Sequence, residues 1–188
     1  MNNTIIYLIG HYGVGKLTIA KAIRAVTGAT LFDNHLTNNV IFSLIRADGK
    51  TPLPPRVWDL IWIIREQAML AIEELVPAQV GYVLTNCLIE GDPMDRAFYE
   101  RVVTLAERRG NIFVPVVLNA SDAAHAARIP SAERGANYKQ TDAEGAHRKR
   151  TTTELLRIDH RHRLDLDTTH LPPDEAARQI IQHAERLA

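Results

Sequence analysis

The most constraining stretch of the chain is its beginning. Thr4-Ile5-Ile6-Tyr7-Leu8-Ile9 is an unbroken apolar and β-branched run, the pattern of a strand buried on both faces. It leads into Gly10-His11-Tyr12-Gly13-Val14-Gly15-Lys16-Leu17-Thr18, and a helical pattern starts at once with Ile19, Ala20, Ala22, Ile23 and Val26. A strand, a glycine loop carrying a lysine and then a helix form the context a phosphate-binding loop requires. Glycines let successive backbone N–H groups turn toward one anion. The helix start adds partial positive charge, and Lys16 adds a full one. The pattern G-x-x-x-x-G-K is complete. The next position is not the usual one, because Leu17 stands where a metal-binding hydroxyl would be and Thr18 follows one place later.

At 188 residues the chain suffices for one well-buried domain with a lid, 1–188, rather than two. The 22 basic and 22 acidic residues cancel, so no overall field favours nucleic acid or an anionic membrane. A lone cysteine, Cys87, excludes an internal disulfide and suits a reducing compartment. The first apolar run is too short for a membrane span, and a cytoplasmic protein, monomer or homodimer, is expected.

Farther along, a helix is predicted to about Thr27, then a short strand, Ala29 to Phe32, closed by Asp33-Asn34-His35. In a parallel sheet, ligands gather beyond the carboxyl ends of strands, which puts Asp33 on the rim of the phosphate loop. Its alternative role is capping the helix Leu36–Ile45. After a Pro-rich loop, a long helix from Arg56 to about Val76 has Val57, Leu60, Ile61, Ile64, Ala68, Ala71, Ile72 and Leu75 as its core face. Trp58, Trp62 and Arg65 fall where they either join that core or border a cleft, and Arg56 and Arg65 are candidates for an anionic acceptor.

Tyr82–Thr85 reads as a third strand ending at Asn86-Cys87 with no acid there; the nearest are Glu90 and Asp92. Asp92-Pro93 opens a helix to about Arg109 as N-cap and N1, so Asp92 reads as structural and Glu90 as an outer-sphere group at most. Ile112–Leu118 is a fourth strand, in which Pro115 implies an edge or a local irregularity. A short helix to about Ala127 precedes a polar stretch, 128–140, holding Arg128, Arg134 and Lys139. Polarity alone makes it a surface loop; its place between two helices makes it a lid. A helix from Thr141-Asp142 to about Asp159 carries Arg148, Lys149, Arg150 and Arg157, the composition of a solvated face. Arg163–Asp167 reads as a fifth strand, and a final amphipathic helix begins at Pro172-Pro173. The order implies an α/β fold: a three-layer, doubly wound parallel sheet of about five strands. No Cys/His/Asp spacing suggests zinc, and no nucleophile elbow is present.

These features resemble the small phosphate-loop kinases of the shikimate kinase and adenylate kinase group, including chloramphenicol phosphotransferase-like relatives. The shared elements are the loop Gly10–Thr18, the acid after strand two, the arginine-bearing lid and the turn Leu166-Asp167-Thr168-Thr169-His170-Leu171. Gly-Lys-Leu-Thr followed by Asn34-His35 also occurs in some uncharacterised relatives. The resemblance implies a P-loop NTPase fold of the nucleoside monophosphate kinase kind and ATP with Mg²⁺. It further implies Gly10, His11, Tyr12, Gly13, Val14, Gly15, Lys16, Leu17 and Thr18 around the phosphates. Thr168, Thr169 and His170 are then expected near the base, where capping of the next helix is the local alternative. Lys16, Asp33, Arg128 and Arg134 are the implied catalytic groups, with Asp33 also the implied metal ligand. Asp33, His35 and Arg65 face a small-molecule phosphate acceptor. A nucleotide or RNA-end kinase and a non-catalytic nucleotide switch are the alternatives; basic residues on the lid and its following helix permit the former, and Leu17 favours the latter.

Overall fold

The computed structural model describes residues 2–49, 51–129 and 143–188. β1 (Thr4–Ile9) leads through the glycine loop to α1 (Lys16–Thr27), then β2 (Thr30–Asp33), α2 (His35–Leu44) and α3 (Arg56–Leu75). β3 (Tyr82–Asn86), α4 (Pro93–Arg109), β4 (Ile112–Asn119) and α5 (Asp122–Arg128) follow. The chain finishes with α6 (Ala143–Thr152), β5 (Leu164–Asp167) and α7 (Pro173–Glu185). All four strand pairings are parallel and the order is β2-β3-β1-β4-β5, so β1 lies at the centre.

That position explains the composition of β1, which is buried along its whole length. Its even residues, Ile6 and Leu8, pack with Ile19, Ile23, Ala177 and Ile180 of α1 and α7. Its odd residues, Ile5, Tyr7 and Ile9, pack with Met69, Phe98, Val102 and Leu105 of α3 and α4. Each such fully buried side chain contributes about 1.5–3 kcal/mol, so the central strand anchors both helical layers. The loop that follows it inherits that rigidity.

Three expectations need correction. Pro115 is in an interior strand, opposite Tyr7 of β1. β5 joins β4 only from Val116, so Pro115 precedes that ladder, where its missing N–H is tolerated. In α3 the inward face is Val57, Ile61, Met69 and Ile72, whereas Leu60, Ala71 and Leu75 are exposed, because α2 and α4 pack against only part of the apolar stripe. The helix after the polar stretch ends at Thr152, not near Asp159. The hydroxyls of Thr151, Thr152 and Thr153 bond back to carbonyls of residues 147–149, a competition that weakens helix continuation. Residues 154–156 then run along the exit of β3, with Glu90 N–H donating to Glu154 and Leu156 N–H to Leu88. Most of the expected lid, including Arg134 and Lys139, lies outside the described residues.

Candidate active site at the phosphate loop

The loop is built by close approach. A Cβ on Gly10 would stand 2.6 Å from the Leu118 carbonyl oxygen and 2.8 Å from Val14 Cγ2, so no side chain fits where β1 leaves the sheet. Gly13 and Gly15 adopt φ of +80° and +89°, turning the chain into α1 through backbone states that other residues rarely take. As a result the amides of Gly13, Val14, Gly15, Leu17 and Thr18 have no hydrogen-bond partner among the described residues. They cluster at the positive end of a twelve-residue helix. Lys16 Nζ folds over this cradle and donates to the carbonyls of Gly10 (2.6 Å) and His11 (2.8 Å). The loop is pinned from behind by the turn after β5, where Thr168 Oγ1 lies 3.0 Å from both the Val14 and Asn119 carbonyl oxygens.

A cavity of about 1010 Å³ runs from this cradle toward α2 and α3. Tyr12, Gly13, Gly15, Lys16, Leu17, Thr18 and Arg128 line one end, and Asp33, His35, Asn38 and Arg65 the other. β2 and β3 pair in register so that Asp33 sits opposite Thr85, whose hydroxyl donates to the Asp33 carboxylate. The cap position of α2 is Asn34, whose side chain makes no capping bond and donates to Asn86 Oδ1 instead (3.4 Å), while Asp33 is bonded to Thr85 at the rim. His35 Nδ1 lies 3.3 Å from Asn39 Oδ1, and its ring meets Phe42 edge-on. Arg65 donates to Asn38 Oδ1 (3.0 Å) and lies 5.0 Å above the Phe98 ring; burial lowers its pKa. Trp58 also borders the cavity, whereas Trp62 packs on Phe98 in the core. Arg56 pairs at the surface with Asp59, which lies on the cavity's border, and Arg56 itself does not line the cavity.

Other expected residues are placed differently. His11 lines a separate cavity of about 390 Å³ with Val117, Asn119 and Arg150. Burial, and then the charge of Lys16, pushes its pKa down to about 4. Val14 contributes its backbone, since its side chain is in the core. Thr168 is buried with its hydroxyl bonded to the loop, and His170 is exposed on the same turn. Neither residue caps α7, whose cap position is Pro172. Arg128 donates to Thr168 Oγ1 and to the carbonyls of Thr168 and Thr169, so its guanidinium is anchored to that turn. Asp92 accepts from the amides of Met94 and Asp95 as an N-cap, and Glu90 is held by Arg96 and the Arg157 amide.

Asp95 and Lys149 are the cavity groups that sequence reasoning missed. Asp95 lies in the first turn of α4, accepts from the Ile89 amide (2.8 Å) and lines the cavity. Burial pushes its pKa up to about 6. From about pH 4 to 6 the folded chain therefore holds a proton at Asp95 that the unfolded chain releases, and stability falls as pH rises through that window. Asp95→Asn keeps an acceptor for Ile89 and removes the buried charge. It should stabilise the protein by about 1–3 kcal/mol at pH 7.5, with the gain closing as pH approaches 4. Thermal unfolding of both proteins at the two pH values checks this, and an equal midpoint at pH 7.5 would refute it. His11 acts with the opposite sign, its stabilising neutrality being lost as pH falls from about 6.5 toward 4. Only the difference between variant and wild type isolates Asp95.

The fold is that of the small phosphate-loop kinases. A sugar kinase from Janibacter sp. HTCC2649 superposes with a TM-score of 0.65 at 16% identity, covering 97% of this chain and 95% of that one. A gluconokinase from Sinorhizobium meliloti 1021 gives 0.61 at 18%, covering 99% and 94%. Shikimate kinase from Aquifex aeolicus VF5 gives 0.52 at 12%, covering 98% of each chain. No protein-family model matches the chain, and no curated protein matches it significantly in sequence. The likeness is one of architecture, spanning nearly the entire length. No helix among the described residues is long and apolar enough to cross a membrane.

Proposed function

We propose that this chain is an ATP-dependent kinase that transfers the γ-phosphoryl group to a hydroxyl or phosphate of a small molecule in the cytoplasm. The observation that carries the reading is one continuous cavity with unpaired loop amides and Lys16 at one end and Asp33 at the other. Its kinase-like fold supports the same reading.

Gly13, Val14, Gly15 and Lys16 hold the β-phosphate, Thr18 sits nearer the α-phosphate, and His170 lies beside the base. Mg²⁺ suits the charge of a triphosphate, but its shell in this chain is thin. Leu17 supplies no oxygen, and no group of three or more His, Cys, Asp or Glu side chains able to hold a metal occurs among the described residues. Asp33 is the carboxylate placed to hold the ion, mostly through water, as Mg²⁺ commonly accepts. When bound, it would supply positive charge against the triphosphate. Asp33 alternatively takes the proton of the acceptor hydroxyl as its oxygen bonds to Pγ and the Pγ–O bond to ADP breaks. Arg128 anchors the base end, and His35 and Arg65 orient the acceptor. The half-buried guanidinium of Arg65 favours an anionic acceptor.

The deciding experiment measures acceptor-dependent ADP release across sugars, sugar acids and cyclic hydroxy acids. Stimulation of ADP release by one of these compounds is the expected result. Tight ATP binding with no stimulation across the panel would favour a nucleotide-dependent switch, the reading to which Leu17 lends support.

A further inference from the structure

We propose that Lys149 is a further catalytic residue, a cation that α6 delivers to the terminal phosphate, and that Tyr12 is the positioning residue holding it above the loop. The inference rests on the triphosphate reading of the cavity.

One stripe of α6 faces the cavity, Gly145 and Lys149 one turn apart, and Thr153 just past the helix end continues it. The neighbouring charges do not share that direction. Arg150 pairs with Asp122 (3.1 Å) and donates to the Ala120 carbonyl, fixing α6 against the chain entering α5. Arg148 pairs outward with Glu144 (3.6 Å). Lys149 Nζ donates to Tyr12 Oη at 3.1 Å and stands 5.3 Å from the centroid of that ring. Tyr12 immediately precedes Gly13, whose amide belongs to the cradle, so the ammonium is held at the mouth of the phosphate site.

The cations lining the cavity among the described residues are Lys16, Arg65, Arg128 and Lys149. Lys16 is folded onto two loop carbonyls, and Arg128 is anchored by three hydrogen bonds to the turn after β5. Arg65 belongs to the acceptor end. Lys149 differs in being held by a neutral hydroxyl and a ring face. An exposed cation–π contact is worth about 0.5–1 kcal/mol, whereas a hydrogen bond between charged partners is roughly twice as strong as a neutral one. Exchange of the ammonium from Tyr12 to a γ-phosphate oxygen is therefore favourable, and a diphosphate offers no such oxygen. Lys149 thus gives the site its preference for triphosphate over diphosphate.

The test is equilibrium binding of β,γ-imido-ATP and of ADP, each with Mg²⁺, to wild type, Lys149→Met, Lys149→Arg and Tyr12→Phe. Lys149→Met should weaken imido-ATP binding by about 10- to 100-fold and ADP binding by less than about threefold, with Lys149→Arg restoring most of the difference. Tyr12→Phe keeps the ring and loses the hydroxyl, so it should lower the same preference by only about threefold. Equal losses for both nucleotides, or none for either, would overturn the assignment while leaving the phosphate site intact. Failure of the wild type to bind either nucleotide would overturn the triphosphate reading itself.

Discussion

Replacing Lys16 with methionine is expected to lower ATP-dependent turnover by about 10³-fold or more while leaving the fold in place. Methionine retains the length and apolar stem of the side chain and removes only the charge. The carbonyls of Gly10 and His11 lose their Nζ donor, at a cost to stability of about 1 kcal/mol. The catalytic loss is larger because phosphoryl transfer depends on positioning and charge neutralisation, and the loop amides supply only partial charges. A second readout comes from His11, since the charge of Lys16 helps to keep its ring neutral. In Lys16→Met the His11 pKa should rise from about 4, observable by NMR titration. Wild-type turnover in this variant would show that the loop is a structural turn and not a phosphate grip.

Much of the scaffold was legible because β1 and its loop leave few options. A strand of consecutive β-branched and apolar residues must be central, and Gly10 must be glycine where β1 passes Leu118. The caps of α4 and α5 were equally readable, because Asp92 and Ser121 act through bonds to neighbours two or three residues away. What stayed hidden was direction. Asp95 is indistinguishable in sequence from any acid that complements a helix dipole, and only the fold of the loop after β3, whose Ile89 amide it accepts from, brings it to the cavity. Lys149 sits in a run of basic residues whose composition suits a solvated face; Arg148 and Arg150 obey that reading or pair locally, and one residue between them does not. Thr168 shows the converse: a position expected from the resemblance to lie near the base is a buried brace for the loop. The α3 face failed for a related reason, since 3.6-residue periodicity identifies an apolar stripe without saying how much of it a neighbour covers.

Asp33→Asn should abolish transfer and spare nucleotide binding. The asparagine carboxamide still offers Thr85 an acceptor, so the link between β2 and β3 survives the substitution. Removing a general base costs about 10²–10⁴ in rate, so kcat should fall within that range at an unchanged Kd for ATP. The two roles proposed for Asp33 separate on metal. If the carboxylate mainly takes the acceptor proton, the variant binds ATP equally well with Mg²⁺ and shows the same Mg²⁺ dependence as wild type. If it mainly holds Mg²⁺, the concentration needed for half-maximal turnover shifts upward and excess Mg²⁺ restores part of the rate. Titrating Mg²⁺ against turnover for both proteins distinguishes these outcomes. Full activity of Asp33→Asn at limiting Mg²⁺ would remove Asp33 from the chemistry.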